Sequence, residues 1–367
     1  MKMHALRAGC RSRFSGGNTM RVLYGVQATG NGHITRARVM APALRAAGIE
    51  VDFLFSGRAP DKLFNMEPFG EYQCRRGMSF VFKQGRVCKW GTLRSNSLVE
   101  LMADIRALDL CEYDLVISDF EPITAWAAKR QRKVCVGLSH QYALRYPLPG
   151  PRIRTVMGLL TRLFAPASHA VGLHWHHFNA PILPPLIEPP MFTGSDDATH
   201  YLVYLPFESR QQVQQWLQPL SDCRFYVYSD VHELRAEGNI VWCPFSRSAF
   251  LRDLARCSGV IANCGFGLGS EVLQMGKRLL VKPLAGQPEQ RSNAAVLQAL
   301  GLATIFEDLS VTQFRRWCQV EPPAAIIYPD VASALARWIR TGCQESQQSL
   351  ADRLWCEVRE CGNDNVM

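Results

Sequence analysis

The sequence predicts an α/β protein made of two Rossmann-like domains whose parallel sheets face each other across a cleft. Three observations lead there. Short apolar runs alternate with helix-patterned stretches in both halves, a proline-dense break near residue 185 separates the two series, and a glycine-rich loop follows an apolar run in each half. The length of 367 residues agrees, because single hydrophobic cores stop growing at about 250–300 residues.

Composition narrows the function classes. Hydrophobic residues make up 47% and charged residues 20%, a globular balance, and no stretch approaches the roughly 20 apolar residues of a membrane-spanning helix. The net charge of +9 is scattered, with no RNA-binding or helix-turn-helix signature and no aromatic residues interleaved with Lys/Arg runs. That argues against nucleic acid and for a small phosphate-bearing ligand. The thirteen cysteines are dispersed without a C-x-x-C pair, as expected for free thiols in a reducing cytoplasm. Residues 1–19 are basic and polar and lack the apolar region of a secretory signal. A disordered extension is expected there, with Met20 as an alternative start.

In chain order, residues 21–27 (RVLYGVQ) read as a strand, ATGNGH as a loop and residues 34–48 as a helix ending at Gly48. Residues 50–56, 113–118 and 133–138 read as further strands with helical segments between them, which implies right-handed parallel crossovers. These form an expected N-terminal acceptor domain, residues 20–185. Residues 180–195 (APILPPLIEPPMFTGS) hold too much proline for a continuous helix or central strand, so residues 186–198 are expected to be an extended linker. The pattern then restarts, with strands at 201–205, 224–228, 240–242, 259–262 and 278–282 in an expected donor domain, residues 199–330. Residues 329–355 read as helices, and the segment 331–367 is expected to pack back across the cleft. Ligands in such folds bind at the carboxyl ends of the strands.

The segment 263–294 (NCGFGLGSEVLQMGKRLLVKPLAGQPEQRSNA) carries the densest chemistry. Glycines at 265, 267 and 269 allow a sharp turn and close approach of backbone to ligand, and a helix opening near Ser270 offers free N–H groups to a phosphate. Glu271, just inside that helix, is placed to accept from two ribose hydroxyls. Gln287, Glu289 and Gln290 follow the next strand, in reach of a sugar hydroxyl.

These residues resemble the donor signature of the GT-B nucleotide-sugar glycosyltransferases: a glycine, a short turn and S-E opening a helix, then G-x-P before a strand, then an acidic-Gln pair followed by N-A. Here the matching residues are Gly265 with Ser270 and Glu271; then Gly276, Lys277 and Arg278; then Glu289, Gln290, Asn293 and Ala294. Arg278 replaces the usual proline, Glu289 the commoner Asp, and Asn263-Cys264-Gly265 the usual His-Gly-Gly. The last change shifts the holding of the diphosphate toward backbone. The resemblance thus implies a donor site of Gly265, Phe266, Gly267, Leu268, Gly269, Ser270, Glu271, Glu289, Gln290 and Asn293.

The second constellation is Gly30-Asn31-Gly32-His33, with Arg36 one helical turn later. A histidine at the carboxyl end of the first strand is placed to take the acceptor's proton or to donate to the diphosphate, and an ordinary pKa near 6.5 suits the first role. Such a base needs a carboxylate to fix its tautomer, and Asp119 at the end of another strand is the candidate. Its competing role is to cap the next helix. Glu121 is a second candidate base, and His140, in Ser139-His140-Gln141, is placed to line the acceptor side. The G-x-G-H turn is similar to one in the lipid II-forming N-acetylglucosaminyltransferase and its relatives, a resemblance running from residue 20 to about 301.

Histidines also cluster at His169, His174, His176 and His177. His174 and His176 are expected on one face of a strand, but no carboxylate or cysteine supplies a third ligand, so a structural role is expected and no metal. No D-x-D motif is present, and no cofactor is implied. Residues 152–164 (RIRTVMGLLTRLF) form an amphipathic helix with cationic edges. It rests either on the inner face of an anionic membrane or, the reading composition favours, on the core with its arginines solvated. Residues 73–96, with Arg75, Arg76, Lys83, Arg86 and Lys89, read either as an acceptor-binding loop or as a solvated basic loop.

The expected reaction is attack of an acceptor hydroxyl on the anomeric carbon, with His33 as base and the 265–270 turn on the leaving diphosphate. The resemblance implies UDP and inversion, without metal. The acceptor is open; a lipid-linked or cell-envelope glycan is the class considered. Three other readings share these residues: a nucleotide-sugar hydrolase, because G-x-G-H-x-x-R also resembles enzymes that deliver water; a sugar-nucleotide epimerase; and a sensor without turnover.

Overall fold

A computed structural model describes residues 19–63, 65–79, 82–83, 86–87, 96–150, 154–189, 197–361 and 363–366. The first part of the chain supplies β1 (Met20–Gln27), β2 (Ile49–Ser56), β3 (Tyr72–Arg75), a hairpin of β4 (Phe82–Lys83) and β5 (Arg86–Val87), then β6 (Leu115–Asp119), β7 (Cys135–Ser139), β8 (His169–Leu173) and β9 (Ile182–Leu183). Seven of these form one parallel sheet in the order β3-β2-β1-β6-β7-β8-β9. Its helices are α1 (Asn31–Ala46), α2 (Leu98–Ala107), α3 (Pro122–Gln131), α4 (His140–Ala143) and α5 (Arg154–Phe164).

The second part repeats the plan with β10 (Asp197–Tyr204), β11 (Arg224–Tyr228), β12 (Arg235–Glu237), β13 (Ile240–Cys243), β14 (Cys257–Asn263), β15 (Arg278–Lys282) and β16 (Thr304–Ile305). The order is β12-β13-β11-β10-β14-β15-β16, parallel except for the edge strand β12. Its helices are α6 (Arg210–Leu217), α7 (Arg247–Arg256), α8 (Phe266–Gln274), α9 (Pro288–Ala299) and α10 (Val311–Cys318), followed by α11 (Val331–Arg340) and α12 (Gln347–Trp355). Two Rossmann-like sheets of seven strands each give the expected α/β class.

In both sheets strand order reverses beside the first strand, between β1 and β6 and between β10 and β14, and a crevice opens at the carboxyl ends there. The sequence forms these strands because they are covered on both faces: every residue of β6, β7 and β14 is buried, so each reads as a nearly unbroken apolar run. One apolar cluster runs from α1 and β1 through Trp175 and Phe266 into β14, so the two halves share core. The last helices pack on the first half. Here α11 lies against α1, the Trp338 ring meets His169 edge-on at 5.5 Å, and Trp355 Nε1 donates to the Ile182 carbonyl at 2.7 Å.

Several expectations change. Helix α8 opens at Phe266 with Gly265 as N-cap, not near Ser270, so Gly267 and Gly269 lie in its first turn. His174 and His176 follow β8 instead of sharing a strand face. β9, two residues in the proline-dense stretch, is an edge strand, where proline neighbours are tolerated. Of the expected linker 186–198, residues 190–196 lie outside the described residues, as do residues 1–18 and, in the basic loop, residues 80–81, 84–85 and 88–95.

Candidate active site

The site forms where α1 and α8 point their N-termini at each other. Each follows the strand at the switch point of its own sheet, β1 and β14, and each starts at a glycine, Gly30 and Gly265, without a side-chain cap. The N–H groups of Asn31, Gly32 and His33 on one side, and of Phe266, Gly267 and Leu268 on the other, therefore have no intrahelical acceptor. A Cβ on Gly267 would lie 3.8 Å from Gly32 Cα, so the two termini nearly touch. Two positive helix ends facing one gap make an anion site without any side-chain charge.

His33 and Asp119 meet: Nδ1 of the imidazole lies 2.7 Å from Oδ1 of the carboxylate. An ionised carboxylate only accepts, so a neutral ring that donates to it carries its proton on Nδ1 and its lone pair on Nε2, the form a base requires; Arg36 Nη2 also lies 2.9 Å from this Nδ1. Asp119 is fully buried and also takes both arms of Arg36, Nε at 2.7 Å and Nη2 on the oxygen that faces His33. Burial pushes the Asp119 carboxyl up, but the Arg36 guanidinium, then His33, outweigh it and hold it below the usual value. Arg36 itself is 6% exposed, with its guanidinium on Asp119 and Nη2 3.3 Å from the Ser139 hydroxyl.

The helix-capping role set against Asp119 belongs to Glu121. Its carboxylate accepts from the N–H groups of Ile123 and Thr124 at 2.9 and 2.6 Å, and from the Thr124 and Ser56 hydroxyls, each at 2.7 Å. Both oxygens are used and the side chain is buried, so Glu121 is the cap of α3 and not a second base. Between the two acids Phe120 adopts φ 53°, a left-handed residue that turns one carboxylate toward α1 and the next onto α3.

Other predicted residues join the halves. His140 Nδ1 lies 3.0 Å from the Leu173 carbonyl and Nε2 2.7 Å from Asn293 Oδ1, and its ring stacks on Phe266 at 4.3 Å. Burial pushes the His140 imidazole below its ordinary value. Asn293 in turn donates to the Cys264 carbonyl at 3.0 Å. Ser270 donates to the Phe266 carbonyl and accepts from Trp175 Nε1 at 2.9 Å, and a Cβ on Gly269 would meet the Trp175 ring at 2.9 Å. His140, Asn293, Ser270 and Gly269 thus fix the spacing of α8 against the first half. Gln290 accepts from the Leu284 N–H at 2.9 Å, and Glu289 from Gln141 Nε2 at 3.1 Å across the cleft. Asn31 accepts from Arg58 at 3.0 Å and reaches the Tyr204 hydroxyl at 3.4 Å.

Glu271 is paired with Arg247 of α7, at 2.7 and 3.2 Å, and Arg247 reaches Glu188 at 3.1 Å. Burial pulls the Arg247 guanidinium down, but Glu271, then Glu188, raise it above the ordinary value. Sequence reasoning missed Arg247, which reaches Glu271 only through the placement of α7. It also missed that Asn263 Oδ1, on the last residue of β14, and Gln287 Oε1, beyond the end of β15, are buried acceptors with no donor among the described residues. Such orphaned acceptors are costly unless a water or a ligand donates to them.

Residues 20–320 match the sequence model described as glycosyl transferase family 1. A search of curated proteins finds no match. Among solved structures, the glycosyltransferase SnogD from Streptomyces nogalater is similar at 17% identity, covering 92% of this chain and 99% of that one, with a TM-score of 0.52. LpCGTa in complex with UDP is similar at 14% identity over 92% and 98% of the two chains, TM-score 0.54. The Streptomyces sp. SF2575 glycosyltransferase SsfS6, complexed with thymidine diphosphate, is similar at 16% identity over 91% and 94%, TM-score 0.51. The fold of this chain is therefore the GT-B fold.

Proposed function

The chain belongs to glycosyl transferase family 1, and from that we propose that it moves a sugar from a UDP-sugar to an acceptor hydroxyl with inversion and without a metal ion. The observation that carries the reading is the pair of uncapped helix N-termini meeting beside the His33–Asp119 pair. A diphosphate in that gap receives backbone N–H donors from both helices, which offset the charge developing on the leaving group. The orphaned acceptors Asn263 and Gln287 suit hydroxyl groups of the donor, and Glu271 keeps free lone pairs for ribose despite its ion pair with Arg247.

His33 is the general base of this proposal. Its unprotonated Nε2 takes the acceptor proton as the hydroxyl oxygen attacks the anomeric carbon, and Asp119 stabilises the imidazolium that forms. Bond formation and departure of the nucleoside diphosphate on opposite faces of the sugar invert the anomeric centre. LpCGTa is solved with UDP and SsfS6 with thymidine diphosphate, which supports a nucleoside diphosphate as the leaving group; UDP is the choice the sequence resemblance favours.

The test is turnover of a nucleotide-sugar panel with and without acceptor alcohols, followed as nucleoside diphosphate released. We expect release that depends on acceptor, and a kcat lower by about 10²–10⁴-fold in His33→Ala. Release of free sugar without acceptor would instead identify a hydrolase, and undiminished turnover in the variant would remove His33 from the mechanism.

A further inference from the structure

Helix α5 corrects the core-facing reading of residues 152–164. It buries Met157 and Thr161, yet Val156, Leu159, Leu160 and Leu163, spaced i, i+3, i+4 and i+7, are 60, 58, 47 and 57% exposed. Four large apolar side chains on one stripe of a helix do not face water by default. The helix carries no acidic residue, and Arg154 and Arg162 are exposed on it. Residues 151–153, with Arg152, lie outside the described residues. Trp126 of α3 donates to the Leu163 carbonyl at 3.0 Å and carries Lys129 over its ring at 4.6 Å, which adds a cation beside the last turn of α5. Helix α2, packed on α3, exposes Leu98, Val99 and Met102 from the same helical layer of the sheet.

We propose that this face docks on the surface of an anionic lipid bilayer, with the Val156–Leu159–Leu160–Leu163 stripe entering the acyl boundary and Arg154, Arg162 and Lys129 meeting headgroup phosphates. The combination of an apolar stripe with flanking cations and no carboxylate on the helix selects that occupant. A second copy fits worse, because a two-fold contact along α5 would set its arginines against their own duplicates. The docked face lies beside the cleft: Gly150, four residues before α5, abuts Ala295 of α9. Among the described residues no helix is long and apolar enough to cross a membrane, so the attachment would be peripheral.

The full chain would be sedimented with vesicles of phosphatidylcholine alone and of phosphatidylcholine with phosphatidylglycerol. Binding is expected on the anionic vesicles, weakened about tenfold by Arg154→Gln with Arg162→Gln and by at least that factor by Leu159→Glu with Leu163→Glu. Circular dichroism and the melting temperature of the variants should match the wild type, because all four side chains are exposed. Equal binding to both vesicles, no binding, or a dimer that the leucine variants dissolve without any vesicle binding would overturn the proposal. None of these readings needs turnover, so failure of docking is distinct from failure of the transfer reading.

Discussion

At the scale of single residues, the centre of the site is a charge balance. Asp119 serves His33 and Arg36 together, and the guanidinium keeps a buried carboxylate ionised while the imidazole faces the gap. Arg36→Met leaves that carboxylate buried with His33 as its remaining partner and without its guanidinium. It should destabilise the protein by about 3–5 kcal/mol, and replacing Asp119 by Leu in the same variant should recover part of the loss. Urea denaturation of the single and double variants measures this; equal stability of Arg36→Met and wild type would mean that the pair is not the support argued here. The sequence made His33 and Asp119 legible because each stands at the end of a strand-like run, a position set by fold topology. It hid Arg36's commitment to Asp119, since a partner 83 residues away is a tertiary fact.

At the scale of elements, α8 decides the geometry. Its first turn is where sequence reading placed a loop, because three glycines within five residues signal a turn unless packing overrides them. The packing reason is specific at Gly269, where any side chain would press into the Trp175 ring. We expect Gly269→Ala to cost about 1–3 kcal/mol by overpacking and to weaken nucleotide binding as α8 shifts. A thermal melt together with a binding titration checks both, and unchanged values in each would show that the close approach is not needed. Helix α5 teaches the converse. Periodicity revealed its apolar stripe but not which way it faces, because a stripe at helical spacing looks the same whether sheet or solvent lies opposite.

At the scale of the molecule, two sheets of Rossmann-like order set two switch points face to face, and that much was legible from alternation and the central break. The joining surface was not, because it depends on residues such as His140, Asn293, Trp175 and Ser270 meeting across 95 or more positions of chain. The central claim is that the gap between the α1 and α8 N-termini holds a nucleoside diphosphate. The most direct measurement is the melting temperature with UDP and other nucleoside diphosphates, on the wild type and on Gly267→Val, whose side chain would project at Gly32. A ligand concentration of about 100 Kd should stabilise the wild type by roughly 2.7 kcal/mol and leave the variant unshifted. No stabilisation by any nucleoside diphosphate, or the same shift in Gly267→Val, would contradict the central claim.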